Sequence, residues 1–507
     1  MSSLVHRPLG QRIPDRLHAV SCSLPTMRDV IGYEEKDPAV TSRMSSGYPR
    51  FVVHPLLRRV ADTLRREQPA LANRELWLCA GPAVASALRV RLGGAGEILP
   101  LNPWLTALAL PDGADADLSN RARRYLQHTG AFGSSRAAED WLATRGELPV
   151  APENSFTGDA PDHVRRFLAA NLGHGLGTTD VHLVPSGMAA TFAAFEAVNA
   201  VQAPRGRTHW VQLGWLYLDT IAILQKLTAH PAEDYLHHAD VFDLDGLARL
   251  LDAHDGSVAG VLAEVPTNPL IQTPALAALS ALCRARGVAL VVDPTIASPF
   301  NLDVLPHADV VVNSLTKYTA SEGDVILGAT AVSPASPLAA ELRPALAAAA
   351  SLAPVYPRDV ARLAAQIDAT PALIARINAS TPRVAEFLRG HPKVAEVHWS
   401  GHPASAANYA TLARSAGSAG SMISFALKDG NTLASFYDRV RLAKGPSFGL
   451  TTSLLCPFMY LAHYDLVTSP EGREHLLKQG IQPELLRLSV GTEPTEEIIA
   501  AIAEALA

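Results

Sequence analysis

Between about residue 160 and residue 340, short apolar runs alternate with stretches of helical spacing. The runs Val181–Val184, His209–Leu213, Val258–Ala263, Val288–Val292, Val310–Asn313 and Val325–Val332 read as strands. Several are apolar throughout and rich in β-branched residues, as suits strands covered on both faces. The alternation predicts an α/β unit: a mostly parallel sheet with helices on both sides. From about residue 345 the pattern changes. Helical stretches are followed by Val394–Trp399, Met422–Leu427 and Leu486–Val490, which predicts a small C-terminal α+β domain with an antiparallel sheet. The Ala-rich run Leu338–Leu352 carries Glu341 and Arg343 and reads as a helix. Upstream, residues 1–60 are polar, with several prolines and little periodicity, and read as an extended arm. Residues 61–160 mix helical runs with loops such as Leu110-Pro-Asp-Gly113 and read as an insertion of unclear role. Four segments are therefore expected: 1–60, 61–160, 161–345 and 346–507. There is no internal repeat.

Length and charge narrow the class. A chain of 507 residues can form two or three domains with sizeable cores. A net charge of −6 leaves no footprint for nucleic acid or an anionic membrane. No run of about 18 uninterrupted apolar residues is present, so no membrane span is expected. Arg12 and Arg16 have no apolar segment behind them, which argues against a secretory signal and for the cytoplasm. Cys22, Cys79, Cys283 and Cys456 show no CxxC spacing and suit reduced thiols. His237-His238 lacks metal-ligand spacing, and no metal site is expected. Asn378-Ala-Ser380 reads as a chance sequon, and Gly93-Gly94-Ala95-Gly96 as a loop.

The chemistry gathers at strand ends. The run Val310–Asn313 leads through Ser314 and Thr316 to Lys317, and the run Val288–Val292 ends in Asp293. Ligands on open α/β sheets bind beyond the carboxyl ends of the strands. Ser186, Asn268, Asp293 and Lys317 all fall at such ends, which predicts one shared site. A lysine held there sheds its proton more easily than a free one and becomes a carbonyl nucleophile. An aspartate beside it suits the ring nitrogen of pyridoxal phosphate. The small-residue turn Ser186-Gly-Met-Ala-Ala190 opens a helical stretch and offers N–H groups to a phosphate. The plain alternatives are a solvated lysine past a strand end and a turn aspartate before Pro294.

These segments occur in order with Gly47-Tyr-Pro-Arg50, Glu264-Val-Pro-Thr-Asn-Pro269 and Leu485-Leu-Arg-Leu-Ser-Val-Gly491. Together they resemble the Cys/Met-metabolism family of fold-type I pyridoxal-phosphate enzymes, which includes cystathionine γ-synthase, the γ- and β-lyases and homoserine-ester sulfhydrylases. Further stretches look like the long fungal-type cystathionine γ-synthases: His18-Ala-Val-Ser-Cys-Ser-Leu-Pro-Thr26, Gln127-His-Thr-Gly130, Gly445-Pro-Ser-Phe-Gly449, Leu455-Cys-Pro-Phe458 and Leu461-Ala-His-Tyr464. The resemblance covers nearly the whole chain.

The resemblance implies a role for each residue. Lys317 carries the cofactor and then acts as the base. Asp293 keeps the ring nitrogen protonated. Ser314, Thr316, Ser186 and the N–H groups of Gly187 and Met188 face the phosphate, and Asn268 faces the ring hydroxyl. Tyr217 matches the ring-stacking tyrosine and is expected to assist the proton transfers, with Trp215 as a rival for the stacking role. Two glycines of the family's Leu-Tyr-Gly-Gly-Thr are replaced here by Leu218 and Asp219. Tyr48 and Arg50 match a pair that reaches the phosphate of a neighbouring subunit, which implies a homodimer or homotetramer with shared sites. Arg487 matches the arginine that forks the substrate carboxylate, supported by Ser453. Where many members have Glu-Ser, this chain has Thr452-Ser453, so an acceptor's ammonium finds no ion pair there. The implied reaction is γ-replacement on O-succinyl- or O-acetylhomoserine with cysteine, giving cystathionine. The alternatives are γ- or β-elimination and replacement by another nucleophile. A non-catalytic relative is opposed by the intact Lys317, Asp293 and Arg487.

Overall fold

A computed structural model of the chain describes residues 4–46, 52–428 and 432–507. Its centre is a seven-stranded mixed sheet in the order β6-β12-β11-β10-β9-β7-β8. Its strands are β6 (Val181–Val184), β7 (His209–Leu213), β8 (Tyr235–His238), β9 (Val258–Glu264), β10 (Ala289–Asp293), β11 (Val310–Ser314) and β12 (Gly328–Val332). All neighbours pair in parallel except β12, which runs antiparallel to both β6 and β11. Every residue of β9 and β12 is buried, which explains why these runs read as apolar throughout. The fold is therefore α/β with a mainly parallel sheet.

Two details differ from expectation. The strand expected at Val325–Val332 begins only at Gly328. Residues 325–327 are drawn off because Leu327 bonds to Thr316 instead: its N–H donates to the Thr316 hydroxyl, which is directed back at the Leu327 carbonyl. The short β8 was not foreseen. It lies at the sheet edge and its residues are not fully buried, so its apolar signal is weak.

A second sheet, β13-β14-β17-β16-β15, forms the C-terminal part. It comprises β13 (Val394–His398), β14 (Met422–Leu427), β15 (Ala443–Lys444), β16 (Leu454–Pro457) and β17 (Leu486–Ser489). It is antiparallel apart from the β15–β16 pair. Its core also takes in Met27, Val30 and Tyr33 of the Met27–Glu34 helix. The expectation of an extended arm is thus corrected for residues 4–46. A helix forms there because Thr26 and Asp29 build a capping box, and its apolar side completes the C-terminal core. Strands β1 (Arg12–Ile13) and β2 (Ser21–Cys22) pair with each other, and Ile13 packs with Ala443 and Leu454.

Residues 61–160 hold a three-stranded antiparallel sheet, β3-β5-β4, not anticipated as strands. It consists of β3 (Leu76–Cys79), β4 (Glu97–Asn102) and β5 (Leu105–Ala109). Runs of four to six residues such as Leu-Trp-Leu-Cys give no period long enough to tell strand from helix. A charged network fastens this region to the rest. Arg136 bonds Glu153 and Asp359, while Arg358 reaches Glu139, Asp140 and Glu153. No helix among the described residues is long and apolar enough to cross a membrane.

Candidate active site

A cavity opens beyond the carboxyl ends of β9, β10 and β11. Lys317, Asp293, Tyr217, Asn268, Ser314 and Arg487 all line it, brought together from five separate stretches of chain.

The floor is charged. Asp293 ends β10 beside Glu264, the last residue of β9, in direct register. Burial pushes the Asp293 carboxyl up to about 6, against the opposing pull of the Thr295 hydroxyl and N–H and of Lys317. Glu264 is raised well above the ordinary carboxylate range, by burial first and then by the neighbouring Asp293. Glu264 also accepts the backbone N–H of Tyr217 and so fixes the turn that carries the tyrosine. The Lys317 Nζ lies 3.3 Å from the Ser447 Oγ and 4.6 Å from the centre of the Phe448 ring. Ser447 itself holds φ of 145°, a conformation L-residues seldom take and one that recurs at functional sites.

The phosphate end is built by the Gly187–Gln202 helix, which starts straight after β6. Ser186 caps it by accepting the Ala189 N–H at 3.0 Å. The N–H groups of Gly187 and Met188 lie in the first turn, which has no intrahelical acceptors. A Cβ on Gly187 would stand 2.7 Å from the Ser314 Cβ, so only glycine lets the two strand-end turns meet here. This donor set suits an anion next to a lysine and a buried carboxylate, which fits pyridoxal phosphate. The hydroxyl residues Ser186, Ser314 and Thr316 all line this end of the cavity. Ser186 also donates to the Gly130 carbonyl at 2.8 Å and caps the helix, and Thr316 bonds Leu327.

At the other side Arg487, on β17, is 7% exposed and bonds the Asn268 Oδ1 at 3.2 Å. Its guanidinium faces the Phe458 ring at 4.6 Å and the Phe448 ring at 5.5 Å. Ser453 does not belong here, and its expected role is corrected. It is fully buried outside the cavity, donates to Glu493 and accepts the Gly491 N–H. Ser447 stands at the cavity in its stead. Trp215 also lies outside the cavity, with its Nε1–H on His463, so of the two rivals only Tyr217 lines the site. Tyr48 and Arg50 fall outside the described residues. Sequence reasoning missed Glu264, Ser447, Phe448 and Phe458 as site residues. The signal was present, since Gly445–Gly449 and Leu455–Phe458 stood out as shared segments without a role.

Residues 163–507 match the family described as Cys/Met metabolism PLP-dependent enzyme. The chain belongs to that family. It is a pyridoxal-phosphate-dependent enzyme of the cystathionine γ-synthase type. It is 38% identical to the L-2-amino-4-chloropent-4-enoate dechlorinase/desaturase of Streptantibioticus cattleyicolor, over 96% of this chain and 95% of that one. It is 28% identical to the cystathionine γ-synthase of Neurospora crassa, over 98% of each chain. Among solved structures it is similar to a putative O-acetylhomoserine (thiol)-lyase of Campylobacter jejuni that contains pyridoxyl-lysine phosphate. The TM-score is 0.58 at 21% identity, covering 72% of this chain and 91% of that one, a likeness of fold.

Proposed function

We propose that this enzyme eliminates a leaving group from the γ-carbon of an L-α-amino acid, with γ-chloro amino acids as the favoured donors. The observation that carries this reading is the make-up of the distal wall. Beyond Arg487 the cavity is closed by Phe448, Phe458, Leu461 and Ala462. Among the described lining residues the carboxylates are Asp293 and Glu264, both on the floor. An amino-acid acceptor such as cysteine would bring an ammonium to a wall with no carboxylate to meet it. An apolar wall suits a small halogenated chain. The dechlorinase relative supports the same donor class.

Pyridoxal phosphate, when bound, supplies an electron sink for the bonds at the substrate's α-carbon. Arg487 forks the substrate carboxylate, and its bond to Asn268 sets its plane. Lys317 takes the proton from Cα and moves a proton at Cβ, while the leaving group departs from Cγ with its electron pair. Asp293 sets a negative charge against the ring nitrogen. Gly187, Met188 and Ser314 hold the phosphate, and Tyr217 flanks the ring. Tyr48 and Arg50 belong to this reading as contributions from a second subunit. Mixed Arg50→Ala and Lys317→Ala subunits are then expected to regain activity.

A second reading, γ-replacement by cysteine giving cystathionine, is supported by the full-length similarity to the Neurospora crassa enzyme. One experiment separates the two. The enzyme is incubated with 2-amino-4-chloropent-4-enoate or O-acetylhomoserine, with and without cysteine, and products are identified by mass spectrometry. Loss of HCl from the chlorinated donor without cysteine is the expected result. Cystathionine formation from the ester, with the chlorinated donor untouched, would overturn the elimination reading.

A further inference from the structure

The two glycines missing after Tyr217 have a structural counterpart in residues 61–160. Tyr217 immediately precedes the Leu218–Lys226 helix, and neither Leu218 nor Asp219 takes a left-handed backbone. Asp219 is fully buried. Its Oδ1 accepts two bonds of 2.9 Å, from the Gln127 Nε2 and the His128 Nδ1. Both donors sit at the end of the Ala116–Thr129 helix. Arg123 bonds the Gln127 Oε1 at 3.1 Å, which turns the amide so that its NH₂ faces Asp219. The next turn, Gly130, ends that helix at φ of 62° and accepts the Ser186 hydroxyl on its carbonyl. A Cβ on Gly130 would stand 2.1 Å from the Ser186 Oγ.

One four-residue segment therefore grips both turns that the proposed function assigns to the cofactor. We infer that Gln127–Gly130 is a positioning clamp: through Asp219 it fixes the Tyr217 ring, and through Gly130 it fixes the phosphate turn. The inference rests on the reading of Tyr217 and Ser186 as cofactor-site residues. Asp219, Gln127 and His128 are positioning residues. The His128 Nε2 has no hydrogen-bond partner among the described residues, and the ring is held by its bond to Asp219. The region 61–160 is then the back wall of the active site, and its replacement by a shorter loop would loosen the site without touching a catalytic group.

The test compares Asp219→Ala with Asp219→Asn, whose Oδ1 can still accept both bonds. Three quantities are read: the Kd of pyridoxal phosphate for the cofactor-free protein, the visible circular dichroism of the bound cofactor, and kcat against KM. For Asp219→Ala a Kd about tenfold weaker, a diminished dichroism band and kcat lower by about thirtyfold are expected, with KM within about twofold, since misplacing a positioned group by a fraction of an ångström costs of that order. Asp219→Asn should recover most of each. Asp219→Ala with unchanged Kd and dichroism would overturn the clamp, as would an Asn variant no better than Ala. Should Asp219→Ala fail to fold, Gln127→Leu removes one donor at a half-buried position and is expected to weaken Kd about threefold; an unchanged Kd there overturns the inference too. Kd and dichroism do not depend on which amino acid is the substrate. Tyr217→Ala with an unchanged dichroism band would instead fault the cofactor-site reading itself.

Discussion

The floor of the cavity comes from strand ends of the large sheet, and its distal wall from the Phe448 loop and the short Phe458–Ala462 helix of the C-terminal region. The floor places a buried carboxylate, Glu264, beside a partly buried carboxylate and lysine, Asp293 and Lys317. Burial there works against charge, as the raised Asp293 and Glu264 carboxyls show. The wall is built from Phe448, Phe458 and Leu461, which also complete apolar cores. The floor therefore stores an electrostatic cost that Lys317 and Arg487 offset only in part, whereas the wall stabilises the fold while shaping the substrate. Chemistry shared across a family belongs to the first and substrate choice to the second. Four measurements break or sharpen that contrast.

The largest effect is expected at Lys317. Lys317→Ala should lower turnover by at least about a thousandfold. Borohydride reduction of the unmodified enzyme should leave the cofactor on the Lys317 peptide. A cofactor mapped to another lysine would remove the floor as the reacting surface.

Asp293→Asn should cost about a hundredfold in kcat while leaving the fold intact. It also has a stability signature in the cofactor-free protein. Because the folded carboxyl titrates near 6 and the ordinary one at 3.8, the folded chain holds more protons between those values. Stability from this group thus falls as pH rises through that window. Cofactor-free Asp293→Asn is expected to be more stable than the unmodified protein above pH 6. The gain should vanish below about pH 4. Denaturant titrations at pH 4 and pH 7 check it, and an unchanged or lower stability at pH 7 would mean the floor carries no such cost.

At the wall, Phe458→Ala should change the ratio of elimination to replacement severalfold, by about 1–3 kcal/mol in relative barrier. Cofactor affinity should stay within about twofold. A large loss of cofactor would show that wall and floor are not separable.

The smallest effect is expected at Ser453. Ser453→Ala should destabilise the protein by about 1–2 kcal/mol through its bonds to Glu493 and Gly491. KM for the amino acid should not move. A raised KM would return Ser453 to the substrate site.

The stretches that were legible in advance share one property: their signal is local. Strands β6, β7, β9, β10 and β11 could be read because each is a buried apolar run. Lys317, Asp293, Asn268 and Ser186 could be read because a strand end is recognisable in the chain itself. The Met27–Glu34 helix, the β3-β5-β4 sheet and β8 escaped because they are short or lie at an edge, where a few residues carry no period.

What the sequence by itself determined is the alternation that makes the sheet, and hence the set of groups delivered to its carboxyl edge. Periodicity is written in neighbours along the chain, so it needs no partner to be read. Only the tertiary structure decided which groups meet across distance. It took Ser453 away from the substrate and put Ser447 against Lys317. It committed Thr316 to Leu327, and it seated Asp219 on Gln127 and His128, about ninety residues upstream. A hydroxyl or carboxylate bonds whatever donor or acceptor the packing brings within about 3 Å, and no spacing along the chain encodes that encounter.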